Sequence, residues 1–481
     1  MDNGLLFQGF EAMLPADSGH WERLTGAAGQ LRDIGVSGIW LPPAFKGTSV
    51  FDMGYSAYDL YDIGEFDQKG TIPTKYGTAE ELKTLVAALH EKGIQVYADV
   101  VLNHKAGADE TERFMAVPVN PDNRTEDIGE PRDIEGWTKF TFPGRGGKYS
   151  DFIWNFQHFS AIDFDQATGE TGIFRIVGEN KGFSLEVDGE FGNYDYLMHA
   201  NVDEAHPDVR REIFAWGEWY LKRFGFDGMR LDAVKHIDGH FMREFVKEMR
   251  ARVKPDLYVV GEYWTADTDL MKRYLEGVRF HMQLFDVALH FSFERAAKEG
   301  DGFDLRTIFD NSLVSENPMN VVTFVDNHDS QPGESLESFV DDWFKPLAYS
   351  LILLRADGYP CLFYGDYYGI GGGPGREDQL NPLIYARKER AYGEQVDYFY
   401  DKNAIAFARL GDLDHPHSGL FCILSNGGES QTYIELGGDR AGQTWVDLTG
   451  NRQEHLTLDE NGGAEFLVNG GSVSVWAEAT G

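Results

Sequence analysis

The amino-acid sequence predicts an α/β protein: a (β/α)8 barrel of parallel strands, with an inserted loop-rich β subdomain after strand three and a C-terminal antiparallel β-sandwich. Short apolar strands alternate with amphipathic helices over residues 1–103 and 207–391, the spacing of parallel βα units. Residues 104–206 interrupt this alternation with Gly, Asp, Asn and aromatic residues. Over residues 392–481 helical periodicity ends, and short strands alternate with Gly, Asn and Asp turns.

Eight apolar segments have the length and composition of strands buried in a closed parallel barrel. Helices are predicted between them from their end signals. Thr78 with Glu81 forms a capping box, Pro207 is a favoured first-turn residue, and Gly225 ends the helix before strand four. The predicted barrel strands are residues 5–10, 36–41, 94–101, 226–231, 257–262, 280–286, 321–325 and 359–364.

Composition and charge exclude several classes of protein. Hydrophobic residues make up 42% of the chain and aromatic residues 14%, which is typical of a folded globular protein. The 79 acidic and 43 basic residues give a formal net charge of -36, which argues against binding to nucleic acid or to an anionic membrane. No apolar run approaches the roughly 18 residues that span a bilayer. The two cysteines, Cys361 and Cys422, are predicted to be free thiols.

The N-terminal residues 1–6 show neither the basic segment nor the long apolar segment of a secretory signal. We therefore expect a cytoplasmic protein, with a secreted mature form as the alternative. We also expect a monomer.

Carboxylates follow the ends of several predicted barrel strands, where the active sites of such barrels lie. Asp232 follows strand four, Glu262 ends strand five, and Asp329 follows strand seven. Arg230 and Asp232 are two residues apart on a strand and point the same way, and a guanidinium favours an ionised neighbour. Paired carboxylates beside aromatic residues such as Trp264 suit glycosidic-bond cleavage, because one acid protonates the leaving oxygen while the other attacks the anomeric carbon. The residues alone leave the sugar and the anomeric configuration open.

Four segments in the expected order resemble the signature regions of the α-amylase family of glycoside hydrolases: residues 99–104, 228–236, 261–264 and 324–329. Residues 37–103 and 192–370 are similar to liquefying-type bacterial α-amylases, and residues 136–154 most resemble the intracellular members. The resemblance implies endo-acting hydrolysis of α-1,4-glucosidic bonds in starch, glycogen and maltooligosaccharides by a retaining double displacement.

The resemblance also implies a role for each catalytic candidate. Asp232 would be the nucleophile that forms a β-glucosyl-enzyme intermediate, and Glu262 the general acid and then base. Asp329 would bind sugar hydroxyls, and Arg230 would keep Asp232 ionised. Asp99 is predicted to orient Arg230. Retaining enzymes hold their two carboxyl groups about 5–5.5 Å apart, so we expect that separation between Asp232 and Glu262.

Six further residues would contact the substrate. His104 and His328 would bind the sugar in subsite -1, and Tyr55 would stack on it. Three residues would line the leaving-group side: Lys235, His236 and Trp264.

The resemblance implies one calcium ion between the barrel and the inserted domain. Asn201 stands where secreted relatives carry aspartate, so binding should be weaker. Asp163 and Asp203 look like remnants of a second metal cluster, but Ser184 and Ala205 replace its other acids, so we expect no intact second cluster. The alternative is that Asp195 only cross-links loops. The expected ligands are Asn103, Asp195, Asn201 and the backbone carbonyl of His236.

Other functions remain open from the sequence. An α-glucan transglycosylase would use the same residues, and product lengths would distinguish it. A non-catalytic carbohydrate-binding protein would have lost one of the carboxylates. A metal-dependent hydrolase would carry clustered histidines at the strand ends, and here they are scattered.

Overall fold

The computed structural model describes residues 3–479; residues 1, 2, 480 and 481, which belong to the predicted N-terminal stretch and last domain, lie outside the described residues. A closed barrel of eight parallel strands forms the centre, which confirms the predicted fold class. Each strand lies within a predicted segment, and strand eight pairs with strand one to close the barrel. The barrel strands are Leu6–Gln8, Gly38–Trp40, Gln95–Val100, Gly228–Leu231, Tyr258–Gly261, Gln283–Phe285, Val321–Phe324 and Tyr359–Phe363.

Helices connect the barrel strands, and the three predicted end signals lie at the ends of two of them. The second helix has the predicted capping box: Glu81 N–H donates to Thr78 Oγ1, and the Glu81 carboxylate accepts from Thr78 N–H. The third ends at Gly225, whose φ of +74° is left-handed. Within the described residues, no helix is long and apolar enough to cross a membrane. The helices are His20–Asp33, Ala79–Glu91, Pro207–Phe224, Gly239–Arg252, Thr268–Gly277, Val287–Glu299, Leu313–Glu316, Lys345–Leu354, Tyr364–Tyr368 and Glu377–Glu389.

The insertion is more regular than the loop-rich region that we expected, because it forms a seven-stranded antiparallel sheet. Its longest strand, Glu110–Asn120, pairs with three others. The first and last strands pair with each other, so the chain enters and leaves the insertion side by side. The strands are His104–Lys105, Glu110–Asn120, Asn123–Asp127, Arg132–Lys139, Phe159–Asp165, Glu170–Ile176 and Ala200–Val202, and a separate ribbon pairs Lys46–Gly47 with Ala57–Asp59.

The C-terminal region has the predicted β-sandwich form. A six-stranded sheet packs with a two-stranded sheet around a small core of its own, in which the Phe421 and Phe466 rings stack 4.3 Å apart. The opposite face of the large sheet joins the barrel core. Both cysteines are free and buried, as predicted. The strands are Gln395–Tyr398, Ala404–Arg409, Leu420–Ser425, Ser430–Glu435, Thr444–Asp447, His455–Thr457, Gly463–Val468 and Ser472–Glu478.

A buried ionic cluster fixes the loop after strand seven. Lys345 Nζ lies 2.6 Å from Asp326 Oδ2 and also binds Asp366, and all three side chains are at most 1% exposed. Asp366 accepts from the Tyr349 hydroxyl at 2.7 Å, and Asp326 from the Ser330 hydroxyl at 2.7 Å. Burial raises the pKa of Asp326 to about 7, and Lys345 opposes that rise. The cluster joins the loop to two helices.

We expect Lys345→Met to destabilise the fold by about 3–5 kcal/mol, because it leaves buried carboxylates without a cation. At about 2.1 cal/mol/K of unfolding entropy per residue, the melting temperature should fall by about 3–5 °C. The loss should grow as pH rises, since ionised carboxylates are the unpaired species. Scanning calorimetry at pH 5.5 and 8 tests this. Lys345→Met with both Asp326→Asn and Asp366→Asn is the control and should lose less; an equal loss would contradict the ionic explanation.

Candidate active site

The three predicted catalytic carboxylates lie at the C-terminal ends of barrel strands. Strands four and five pair in a register that sets Leu231 opposite Gly261, so Asp232 and Glu262 follow at the same level on adjacent strands. Asp329 lies in the turn after strand seven. Because adjacent strands are about 4.8 Å apart, this register brings the first two carboxylates close together.

A buried guanidinium joins the acids. Arg230 is fully buried, and its Nη1 donates to Asp232 Oδ1 at 2.5 Å and to Asp99 Oδ1 at 3.1 Å. Its Nη2 lies 3.8 Å from Glu262 Oε2. One cation is therefore shared by three acids at the centre of the site, which offsets part of the cost of burying them.

Asp99 orients Arg230, as predicted. Both Asp99 oxygens accept from Arg230 Nη1, and Oδ2 also accepts from Trp40 Nε1 at 2.9 Å and from the Tyr55 hydroxyl at 2.8 Å. Burial raises the pKa of Asp99 to about 6, and Arg230 opposes that rise. These bonds make Asp99 a support for Arg230 rather than a reacting group.

Glu262 has the electrostatic surroundings of a general acid. Burial raises the pKa of its carboxyl to about 7; Arg230 opposes the rise, and the charges of Asp232 and Asp329 add to it. A carboxyl with a pKa near 7 holds its proton through a larger part of the physiological range than an ordinary glutamic acid. Glu262 can therefore carry a proton into the site.

Ala233 fixes the position of Glu262, and the sequence analysis missed it. Its φ of +49° is left-handed, a conformation that costs a non-glycine residue about 1–2 kcal/mol. This turn brings Ala233 N–H to Glu262 Oε2, at 2.8 Å, and begins the short helix Val234–His236. No sequence signal marks such a residue, because alanine has no preference for left-handed backbone.

Asp329 and His328 lie together at the end of strand seven. Burial raises the pKa of Asp329 to about 6, with Arg230 opposing the rise and Asp232 adding to it. Burial also lowers the pKa of His328 well below its ordinary value, so the ring is neutral. The Gln8 amide nitrogen lies 3.1 Å from His328 Nδ1, which therefore accepts, and Nε2 carries the proton 3.4 Å from Asp329 Oδ2.

Tyr55 and His104 line the same side of the site. The Tyr55 ring stacks on His328 with centroids 5.0 Å apart. His104 Nε2 lies 2.8 Å from Tyr55 O, and its Nδ1 lies 3.2 Å from Asn103 Oδ1. Burial lowers the pKa of His104 to about 4. Both ring nitrogens face protein oxygens, so a sugar would have to displace one of them; substrate binding by His104 stays a prediction.

The predicted leaving-group residues are neighbours, and they include a partner that the sequence analysis missed. Lys235 Nζ lies 2.9 Å from Glu190 Oε2 and 3.2 Å from Trp264 O. His236 Nδ1 donates to Tyr194 O at 2.8 Å. Glu190 belongs to the segment before the last strand of the insertion, where no periodicity indicated a contact with Lys235.

The predicted calcium ligands also lie close together. Asn103 Nδ2 lies 3.4 Å from Asp195 O and 3.2 Å from His236 O. Asn201 Nδ2 donates to Asp195 Oδ2 at 3.0 Å. A half-turn of the Asn103 amide would place its oxygen beside those two carbonyls. The arrangement offers amide, carboxylate and carbonyl oxygens at one point between the barrel and the inserted sheet.

Unpaired oxygens indicate that this point fits a cation. Among the described residues, Asp195 Oδ1, Asn201 Oδ1 and Glu204 Oε1 are buried without a hydrogen-bond partner. Burial raises the pKa of Asp195 above its ordinary range, and burial together with the Asp195 charge raises that of Glu204. Buried oxygen-rich groups of this kind suit a hard cation such as Ca2+. The residues present therefore fit the expected ion.

A second group of potential ligands does not fit a metal. His158, His206 and Asp208 place ligand atoms within 4.8 Å of one another. However, His158 Nδ1 accepts from Asn155 N–H at 3.0 Å, and His206 Nδ1 accepts from Asp208 N–H at 3.2 Å. An uncharged imidazole that accepts at Nδ1 carries its hydrogen on Nε2, so these two hydrogen bonds leave no Nε2 lone pair for a metal.

Comparisons with known proteins show the family to which the chain belongs. The family model described as "Alpha amylase, catalytic domain" matches residues 7–163 and 186–402. The chain is 47% identical to a glucan 1,4-alpha-maltohexaosidase of Bacillus sp. (strain 707), over 98% of this chain and 92% of that protein. It is 44% identical to a cytoplasmic alpha-amylase of Escherichia coli (strain K12), over 99% of each chain.

A comparison with a solved structure supports the fold and nothing further. An alpha-amylase from Geobacillus thermoleovorans, complexed with acarbose, matches with a TM-score of 0.64 at 18% identity, covering 100% of this chain and 98% of that one. The family match and the near-full-length identities go further than the fold. The chain belongs to the α-amylase family of glycoside hydrolases.

Proposed function

We propose that the protein hydrolyses internal α-1,4-glucosidic bonds of starch, glycogen and maltooligosaccharides with retention of configuration. The observation that carries this proposal is the pairing of Asp232 and Glu262 at adjacent strand ends around Arg230. The names of the two relatives, a maltohexaosidase and an alpha-amylase, support the substrate class. The name of the Escherichia coli relative supports a cytoplasmic location, and we propose a monomer.

The proposed reaction has two displacements. In the first, Asp232 attacks the anomeric carbon while Glu262 donates its proton to the departing glycosidic oxygen, leaving a β-glucosyl ester on Asp232. In the second, Glu262 takes a proton from water, and the water oxygen attacks the same carbon and releases Asp232. Two inversions give net retention. The proximity of Arg230 to Asp232, at 2.5 Å, supports an ionised nucleophile.

The neighbouring residues would hold the sugars. His328 Nε2 lies 3.4 Å from Asp329 Oδ2 and has no hydrogen-bond partner in the described part of the chain, so the two side chains would offer a donor and an acceptor to ring hydroxyls in subsite -1. Tyr55 and His104 would line that subsite. Three residues would line the leaving-group side: Lys235, His236 and Trp264.

One calcium ion is proposed as a structural cofactor. It would join the end of strand three, the last strand of the insertion and the turn after strand four, and it would supply positive charge to buried oxygens. The unpaired oxygens of Asp195 and Asn201 support this assignment. The proposed ligands are Asn103, Asp195, Asn201 and the His236 carbonyl.

The anomeric form of the first products tests the mechanism. With maltohexaose, proton NMR within the first minutes should show new reducing ends in the α form. Asp232→Asn should lower kcat by at least about four orders of magnitude and leave the melting temperature nearly unchanged, because the side chains are almost isosteric. First products in the β form, or near-normal activity of the variant, would remove Asp232 from this role. Products longer than the substrate would instead indicate transglycosylation.

The pH dependence of kcat/KM should report Glu262. Because the general acid must be protonated, the pH profile of kcat/KM should have an alkaline limb that begins near pH 7 and falls about tenfold per pH unit. The Asp329 charge raises the pKa of Glu262, so Asp329→Asn should move this limb to lower pH while also lowering kcat. Initial rates on maltohexaose from pH 5 to 9 measure both. A limb that stays in place or moves upward in the variant would contradict this assignment.

Calcium binding is tested by titration calorimetry on chelator-treated protein. We expect one tight site, at least about tenfold weaker in Asp195→Asn, and tighter binding in Asn201→Asp, which adds a ligand charge. Asp163→Asn is the matched control, since its carboxylate accepts from His199 N–H at 3.0 Å and is half-exposed. Two or more tight sites would refute the single-ion proposal. So would no binding together with an Asp195→Asn melting temperature equal to that of the wild type.

A further inference from the structure

A lysine ammonium lies where the inserted sheet presents three oxygens. Lys181 Nζ binds Gln157 O and Asp203 Oδ2 and lies 3.2 Å from Phe159 O. The side chains of Lys181 and Asp203 are only 8% and 7% exposed. Two carbonyls and a carboxylate are the oxygen donors that a hard metal ion takes in proteins. Here a covalently tethered cation occupies that position.

The three oxygens are held by regular structure. Gln157 and Phe159 flank His158, at the start of the strand Phe159–Asp165. His158 O accepts from Asp203 N–H at 2.9 Å, which ties the turn carrying the carboxylate to the same backbone. The backbone of the three donor residues is therefore held by the sheet and the turn, whereas the Asp203 carboxylate is paired with Lys181.

Lys181 belongs to the segment 177–189, which leaves the inserted sheet after Ile176 and reaches Lys235 beside the candidate active site. The far end of the segment is bound to the barrel: Glu186 O accepts from Gly239 N–H at 3.0 Å, and Asp188 N–H donates to Lys235 O at 2.9 Å. This segment forms neither helix nor strand. Its order therefore depends on contacts along its length, among them those of Lys181 with the inserted sheet and that of Ser184 O with Asn193 Nδ2 at 2.7 Å.

We propose that Lys181 acts as a built-in cation: its ammonium fills an oxygen-lined cation pocket and so anchors the segment 177–189 to the inserted sheet. Lys181 holds the segment near its start, and the far end of the segment contacts Lys235, on the proposed leaving-group side of the site. The proposal concerns a different point from the calcium site at Asp195. It is also independent of the proposed reaction, because its test measures stability and proteolysis and requires no turnover.

The proposal predicts a specific kind of rescue. Lys181→Ala removes the ammonium and its stem but leaves the Asp203 carboxylate and two carbonyls in place, so a small cation from solution can enter. Lys181→Met removes the charge and keeps the stem volume, so the space stays filled. A lysine that only packs would give two variants that respond alike to added cations.

The experiment uses full-length, chelator-treated protein at constant ionic strength, with tetramethylammonium chloride replaced stepwise by ammonium, sodium or potassium chloride. Melting temperature and chymotrypsin cleavage after Phe183 and Leu185 are the two measurements. Lys139→Ala is the control, because Lys139 forms an exposed ion pair with Glu110 on the same sheet.

We expect both Lys181 variants to melt about 3 °C below the wild type in tetramethylammonium, with cleavage several-fold faster. Ammonium, sodium or potassium should restore at least half of both losses in Lys181→Ala and little in Lys181→Met, while Lys139→Ala responds as the wild type does. The proposal is overturned if Lys181→Ala equals the wild type in both measurements. It is equally overturned if small cations restore Lys181→Ala no more than Lys181→Met.

Discussion

The catalytic end of the barrel depends on a single buried cation, the guanidinium of Arg230. Burying several carboxylates together is strongly unfavourable unless a positive charge is among them. Arg230 contacts Asp232 and Asp99 and approaches Glu262. Asp99 in turn is held by Trp40 and Tyr55. The aromatic side chains of the site, the support of the guanidinium and the positions of Asp232 and Glu262 thus form one connected network.

The same network gives the carboxyl groups of Asp232 and Glu262 different surroundings. Glu262 lies farther from the guanidinium than Asp232 does, 3.8 Å against 2.5 Å, and its pKa is raised to about 7 by burial. The two carboxyl groups therefore differ in their distance from the one buried guanidinium, and differences of environment are what give paired carboxyl groups separate roles. The left-handed turn at Ala233 helps to fix the position of Glu262, because the Ala233 N–H donates to Glu262 Oε2. The strain of that turn is stored at the residue next to Asp232.

The barrel could be predicted from the sequence because each strand is a short apolar run with clear ends. The carboxylates could be located because strand ends converge in a barrel. Two kinds of feature could not be predicted. The strand Glu110–Asn120 carries charged residues on exposed positions, so its pattern resembles a loop. Contacts such as Lys235 with Glu190 and Lys181 with Asp203 join irregular segments, and only the folded chain specifies which side chains meet there.

The pairing of the insertion's first and last strands has a consequence for how this fold can vary. His104 and Lys105 lie directly beside Asn201 and Ala200, so the whole insertion leaves the barrel and returns through adjacent hydrogen-bonded residues. The entropy of closing a loop grows only slowly with its length, by about 0.6 kcal/mol for each doubling. The outer strands of the insertion can therefore lengthen, shorten or be exchanged with little effect on barrel closure. The surface that the insertion offers to a substrate can therefore change while the catalytic end of the barrel stays fixed.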